Sequence, residues 1–94
     1  MERITESKHN IRTDKANHLE YDLTFTISEK TEGLESINVQ GIKAGNYIFN
    51  INKDVLNDYT NVSFTAGFDY AILTDVLSEI EVIKAEYQTP VEED

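Results

Sequence analysis

Residues 19–28 alternate without a break. Leu19, Tyr21, Leu23, Phe25 and Ile27 occupy one phase, and Glu20, Asp22, Thr24, Thr26 and Ser28 the other. Period two over ten residues predicts a strand with one face on a core and one in water, because helical geometry would scatter the five apolar side chains around the axis. Residues 29–35 are polar, contain Gly33 and predict a loop. Ile37 and Val39 open a second strand, with Gly41 expected at a bulge or near its end. Ala44-Gly45-Asn46 is a turn signal, and Tyr47, Phe49 and Ile51 then alternate with Ile48, Asn50 and Asn52. The second and third strands are therefore expected to pair as a hairpin around residues 43–46.

Two further stretches read less simply. Residues 54–60 break the alternation, and Asn52 or Asp54 is placed to cap one or two turns of helix carrying Val55, Leu56 and Tyr59. Val62, Phe64, Ala66, Phe68, Tyr70 and Ile72 recur at spacing two, as one strand bent at Gly67 or two strands around it. Phe68, Ile72, Val76 and Ile80 also recur at spacing four with Asp69 as cap, so both periods fit residues 68–73. The expectation is a strand to residue 72, a short helix at 74–79, and a last strand at 80–88 with Ile83, Ala85 and Tyr87 on one face. Pro90 ends it. Residues 1–17 hold only Met1, Ile4, Ile11 and Ala16 as apolar positions. They read as a polar arm; a weak helix with Ile4 and Ile11 one heptad apart is the other reading.

This pattern predicts a β-rich α+β fold, an antiparallel sheet of four to six strands with one or two short helices; a small all-β sandwich or barrel is the alternative. No strand–helix–strand alternation has the length a parallel sheet needs. The expected organisation is an arm at 1–17, one globular domain at 18–89 and an acidic tail at 90–94. The 94 residues suffice for one domain.

Charge changes the picture more than composition does. The formal net charge is −10, and from Asp54 onward ten carboxylates face a single base, Lys84. Residues 1–18 carry Arg3, Lys8, Arg12 and Lys15 against three acids. Such a body should repel nucleic acid and anionic membranes and attract basic protein surfaces. Hydrophobic content of 39% and charged content of 28% sit near globular norms, against wholesale disorder.

Catalytic signatures fail one by one. There is no cysteine, so no disulfide, thiolate site or thiol nucleophile. His9 and His18 are nine apart, outside metal-ligand spacing, and read as exposed titratable side chains. Asn50, Asn52, Asp54, Asp58 and Asn61 resemble a calcium loop in spacing, but its sixth and twelfth positions, which need Gly and Glu, hold Val55 and Asn61. Lys53 adds a repelling charge. Asp54/Asp58 and Asp75/Glu79 would share a face if helical, but such pairs arise by chance among eighteen acids. Gly33, Gly41, Gly45 and Gly67 form no phosphate loop. No cofactor or metal is expected.

The N-terminus shows no apolar signal region and no stretch approaches the roughly 18 residues of a membrane span, so the expected location is the cytoplasm. The sequon Asn61-Val62-Ser63 is then a coincidence of composition.

The functional expectation is a non-enzymatic, acidic protein-interaction module docking a carboxylate-rich face on a basic partner. Its sharpest version is a nucleic-acid-mimicking inhibitor of the kind phages and mobile elements encode. The residues expected to carry it are Asp54, Asp58, Asp69, Tyr70, Asp75, Glu79, Glu81, Glu86 and Tyr87; the two tyrosines stand among acids as interface anchors. The alternative is a structural or assembly subunit that forms homo-oligomers through strand edges and the arm, since few positive charges guard those edges. A small-ligand binder or enzyme with an acidic pocket is the third class.

Overall fold

The computed structural model describes residues 1–8, 11–30, 33–65 and 67–88. Six antiparallel strands are followed by one helix: β1 (Ile4–Lys8), β2 (Ile11–His18), β3 (Tyr21–Lys30), β4 (Gly33–Lys43), β5 (Asn46–Asp54), β6 (Tyr59–Phe64) and α1 (Tyr70–Gln88). The strands follow one another across the sheet in chain order, β1 to β6. The sheet is open rather than closed into a barrel, and the fold is β-rich α+β. His9 and the 90–94 tail lie outside the described residues.

The alternating strand leads straight to the core. Leu23, Phe25 and Ile27 of β3 point the same way as Ile37 and Val39 of β4 and Phe49 and Ile51 of β5, all within the buried core. α1 lies across this face and contributes Ile72, Val76, Ile80 and Ile83, spaced four, four and three, all buried. The other face is mainly polar, with Lys15, Asp22 and Asp54 its charged positions on β2, β3 and β5. Thr24–Gln40–Asn50–Ser63 and Thr13–Thr26–Asn38–Asn52–Asn61 form two cross-strand rows of hydroxyls and amides. It is the solvent phase of the alternation.

The hairpin expected at residues 43–46 is present, with Lys43 paired to Asn46 and both Ala44 and Gly45 at positive φ. That is the twist a two-residue hairpin requires. The register also shifts between Gly41 and Ile42, a bulge where glycine suggests one.

Several expectations need correction, the 29–35 loop among them, since β3 runs to Lys30 and β4 opens at Gly33. The 19–28 strand begins at Tyr21, because Leu19 and Glu20 form the β2–β3 turn at φ 52° and 72°. No glycine or asparagine marks that turn, and each residue stands in a region that costs an L-residue about 1–2 kcal/mol. Residues 55–58 are a turn rather than a helix. Most consequentially, residues 70–88 form one helix where the pattern suggests strand, short helix and strand. Asp69 caps it as the spacing-four reading requires: its carboxylate accepts the Ile72 N–H at 3.4 Å, and its carbonyl accepts the Leu73 N–H at 3.0 Å. Strand-favouring Ile and Val occupy the buried stripe, where packing overrides propensity.

The reading of residues 1–17 as an arm also gives way. β1 and β2 extend the sheet, and the phase of β2 that points at the helix is Arg12, Asp14, Ala16 and His18.

Gly41 has no room for a side chain. A Cβ there would stand 2.1 Å from the Phe49 ring. That ring is held edge-on by Tyr21 at 5.4 Å and stacked on Phe64 at 5.0 Å, so it cannot swing aside cheaply. Gly41→Ala should destabilise the chain by about 1–3 kcal/mol as an overpacked core position. Gly33→Ala meets nothing within 4 Å of its Cβ position but stands at φ 130°, so its cost is backbone strain rather than overpacking. Urea unfolding of both variants measures the difference.

Candidate functional site

The carboxylates expected to form a docking face each have a partner in their own chain. Asp54, at the end of β5, accepts the Asn57 side-chain amide at 2.8 Å and the Asn57 N–H at 3.2 Å, which closes the β5–β6 turn. These bonds hold its carboxyl below the usual range. Asp58, in the same turn, accepts Lys53 Nζ at 2.7 Å, and that bond and charge lower its pKa too. Asp69 caps α1 and accepts the Tyr21 hydroxyl at 3.1 Å. Burial, then this bond, raise the Tyr21 pKa. Asp75 lies 2.7 Å from His18 Nε2. Glu81 points outward and meets Lys84 one turn on, at 3.5 Å.

Glu79 and Glu86 belong to an ion cluster, buried at Asp14 and Glu79 and exposed at Glu86, that joins α1 to β1 and β2. Arg3, just before β1, donates from Nε to Glu79 at 2.5 Å, from one terminal nitrogen to Glu86 at 2.7 Å and from the other to Asp14. Arg12 grips Asp14 with two nitrogens at 3.0 and 2.8 Å and reaches Glu86 with the third at 3.0 Å. Thr5 donates its hydroxyl to Asp14 at 2.7 Å. The Asp14 side chain is fully buried and that of Arg3 8% exposed. Burial is the largest influence on Asp14 and pushes its pKa up. Hydrogen bonds from Arg12 and Thr5 and the arginine charges outweigh it, leaving the carboxyl below its ordinary value. Glu86 follows the same pattern, with bonds from Arg3 and Arg12 overcoming burial. Both guanidiniums are held above their usual pKa. Tyr87 is half-buried, and its hydroxyl lies enclosed beside Arg12 without a hydrogen bond of normal geometry.

Four of the named acids and both tyrosines thus follow α1 and its cap, while Asp54 and Asp58 sit at the far end of a hairpin and Glu81 on the outer helix face. They do not converge. Arg3, Thr5, Arg12 and Asp14 escape sequence reasoning, because the cluster joins positions 76 residues apart and no spacing announces it.

Concave chemistry is slight. The open face carries a depression of about 590 Å³, lined by Glu2, Glu6, Asp22 and Lys15 with Ile4 and Thr24. Among the described residues no group of three or more His, Cys, Asp or Glu could hold a metal ion. No helix among them is long and apolar enough to cross a membrane.

The edge at β6 is the more distinctive surface. Its sequence, Tyr-Thr-Asn-Val-Ser-Phe, holds no charge, proline or glycine. Antiparallel pairs alternate between bonded and non-bonded. The Thr65 N–H bonds to the Ile48 carbonyl at 2.7 Å, one step beyond the Phe49–Phe64 pair. Ser63, Asn61 and Tyr59 therefore bond inward to β5, and the N–H and C=O groups of Thr60, Val62 and Phe64 point away from the sheet. Among the described residues nothing pairs with that side. Beside it a chain of aromatic rings climbs from the core to the surface. Phe64 stacks on Phe68 at 4.9 Å, and Phe68 meets Tyr70 at 5.7 Å. Phe68 is 53% and Tyr70 71% exposed. β1, the opposite edge, carries Glu6 and a register shift between Thr5 and Ser7, devices that blunt edge pairing. β6 has none of them.

Comparison with family models, curated proteins and solved structures finds no match to this chain.

Removing Asp14 leaves Arg3 and Arg12 in a buried site short of a carboxylate. Asp14→Ala should therefore cost about 3–5 kcal/mol in urea unfolding. Glu81→Ala, at an exposed helix pair, should stay within about 0.5 kcal/mol. Acid should act through the same cluster. The folded pKa values of Asp14 and Glu86 lie below their unfolded ones, so their contribution is complete above the unfolded carboxylate range and is lost as pH falls through the folded values. Stability should stay level from about pH 7 to pH 5 and decline below about pH 4. In the Asp14→Ala variant the decline should be shallower, as a urea series across pH will show.

Proposed function

We propose that the chain is a non-enzymatic protein-interaction module that works by strand pairing at the β6 edge, with Phe68 and Tyr70 as the adjoining apolar contact. The observation that carries this reading is the uncharged strand whose outward main-chain groups at Thr60, Val62 and Phe64 have no partner among the described residues, set beside two exposed aromatic rings. Main-chain hydrogen bonds supply affinity in such pairing, and alternate side chains supply selectivity. Docking of a carboxylate face on a basic partner draws less support from the geometry. Each of the seven body acids that motivated it is engaged within the chain, and three of those on α1, Asp75, Glu79 and Glu86, are turned to His18, Arg3 and Arg12.

Residue-resolved hydrogen exchange tests the module. In dilute protein the amides of Asn61, Ser63 and Thr65 should exchange slowly and those of Thr60, Val62 and Phe64 fast. Adding extract from the source cells, or concentrating the protein, should slow the latter three by about tenfold or more while the rest of the sheet stays unchanged. Three outward amides that remain fast under both conditions would remove the edge from consideration.

A further inference from the structure

We infer that the strand the β6 edge receives is the β6 edge of a second copy, paired antiparallel about a two-fold axis through Val62. The inference rests on the edge-pairing reading and names its partner.

The outward groups set the register. Thr60, Val62 and Phe64 each present one N–H and one C=O. A second β6 rotated by half a turn about Val62 places Val62 opposite Val62, Thr60 opposite Phe64 and Phe64 opposite Thr60. Every outward donor then meets an outward acceptor, giving six reciprocal main-chain bonds. Centring the axis on Thr60 or Phe64 instead would run part of one strand past the end of the other and leave outward groups unpaired. Because directly opposed residues share a face, both helices fall on the same side of one twelve-stranded sheet.

The side chains agree with that register. On the helix side the row Phe25–Val39–Ile51–Val62 ends at the open edge with Val62 half-buried. Across the axis it continues into its own mirror order, Val62–Ile51–Val39–Phe25, with no charged residue in the row. The neighbouring row ends in Phe64, which meets the small Thr60 of the other copy rather than a second phenyl ring. On the opposite face Asn61 meets Ser63, an amide opposite a hydroxyl.

Charge selects the place of contact. Two chains of net −10 repel each other, and β6 is an edge where neither strand contributes a carboxylate. Self-pairing there should strengthen as salt screens the remaining repulsion, whereas docking on a basic partner would weaken. One strand pair makes a small interface, so the dimer belongs to the weak, concentration-dependent class.

Sedimentation equilibrium from micromolar to roughly millimolar protein, at low and high salt, should show a monomer–dimer equilibrium that moves toward dimer as salt rises. Val62→Pro removes an outward N–H without breaking a bond to β5 and, despite the loss of a half-buried side chain, should give a folded monomer. Val62→Lys should do the same by placing like charges on the axis. The natural chain has no cysteine, so single substitutions report the register. Val62→Cys puts two thiols on residues with Cα atoms about 5.5 Å apart, within disulfide reach. With diamide as oxidant it should form a covalent dimer. Thr60→Cys puts them about 14 Å apart and should not. Equal cross-linking at both positions, or wild-type protein that stays monomeric at high salt and high concentration, would overturn the self-pairing. If that monomer still gains protection at Thr60, Val62 and Phe64 in cell extract, the edge serves a different protein and only the present inference falls. If those amides gain none, the edge-pairing reading falls with it.

Discussion

The arginine–carboxylate cluster between β2 and α1 is the constraint on which the rest of the structure depends. At its centre the core is apolar in the ordinary way, with β3, β4 and β5 presenting Leu, Phe, Ile and Val to the buried stripe of the helix. Toward β2 that supply ends. Apart from Ala16, the residues β2 turns toward the helix are Arg12, Asp14 and His18, and the helix answers with Asp75, Glu79 and Glu86. Two guanidiniums against three carboxylates complete a side of the core that the chain's apolar residues do not fill. Buried ion pairs often add little net stability over an apolar equivalent, but breaking one is expensive. Their value here is positional. Arg3 touches Asp14 on the sheet and Glu79 and Glu86 on the helix with different nitrogens, so one planar group sets how far along the sheet the helix lies.

The same cluster explains which parts of the fold the sequence discloses. β3, β4 and β5 are legible because one face of each is apolar and the other polar, and the β4–β5 turn is legible because Ala44-Gly45-Asn46 carries turn chemistry. β1 and β2 are not. Their inward residues are charged, and a strand whose inner face is Arg, Asp and His looks like a solvated arm until its partner, some seventy residues later, is known. The β2–β3 turn hides for a different reason: Leu19 and Glu20 adopt left-handed backbone without the residues that usually mark it, and Leu19 completes an alternating pattern it does not structurally share. α1 hides because its buried stripe is built from Ile and Val, and period two fits residues 68–73 as well as period 3.6 does.

Charge is where sequence and structure diverge most in meaning. An excess of acids from Asp54 onward invites a picture of one acidic face. Folding divides those acids among separate tasks: a turn closed by Asp54, an ion pair at Asp58, a helix cap at Asp69, and a flank of α1 whose carboxylates point at the few bases of β1 and β2. Arg3 and Arg12 near the N-terminus and Glu79 and Glu86 in the helix, read separately as parts of two poles, are one interaction seen from both ends. The candidate site was therefore only half legible. Tyr70 could be picked out as an exposed aromatic beside acids, while the feature that gives it context, an edge strand without charge, carries no motif and becomes visible only once strand order is known.

The two edges of the sheet show how little protection a strongly charged small domain needs. β1 is charged, bulged and tied down through Arg3; β6 is uncharged and regular, with main-chain groups directed outward. In a neutral protein such an edge would be a hazard. Here the net charge of −10 acts at longer range than any hydrogen bond, over a Debye length of about 8 Å at physiological salt, and repels approaching copies before main-chain groups come within bonding distance. The same argument accounts for the polar face. A second sheet could cover it only by burying two rows of hydroxyls and amides, and each left unpaired would cost about 1–3 kcal/mol. With one face under the helix, the other facing solvent and β1 guarded by charge and a register shift, β6 is the edge of the sheet without such protection.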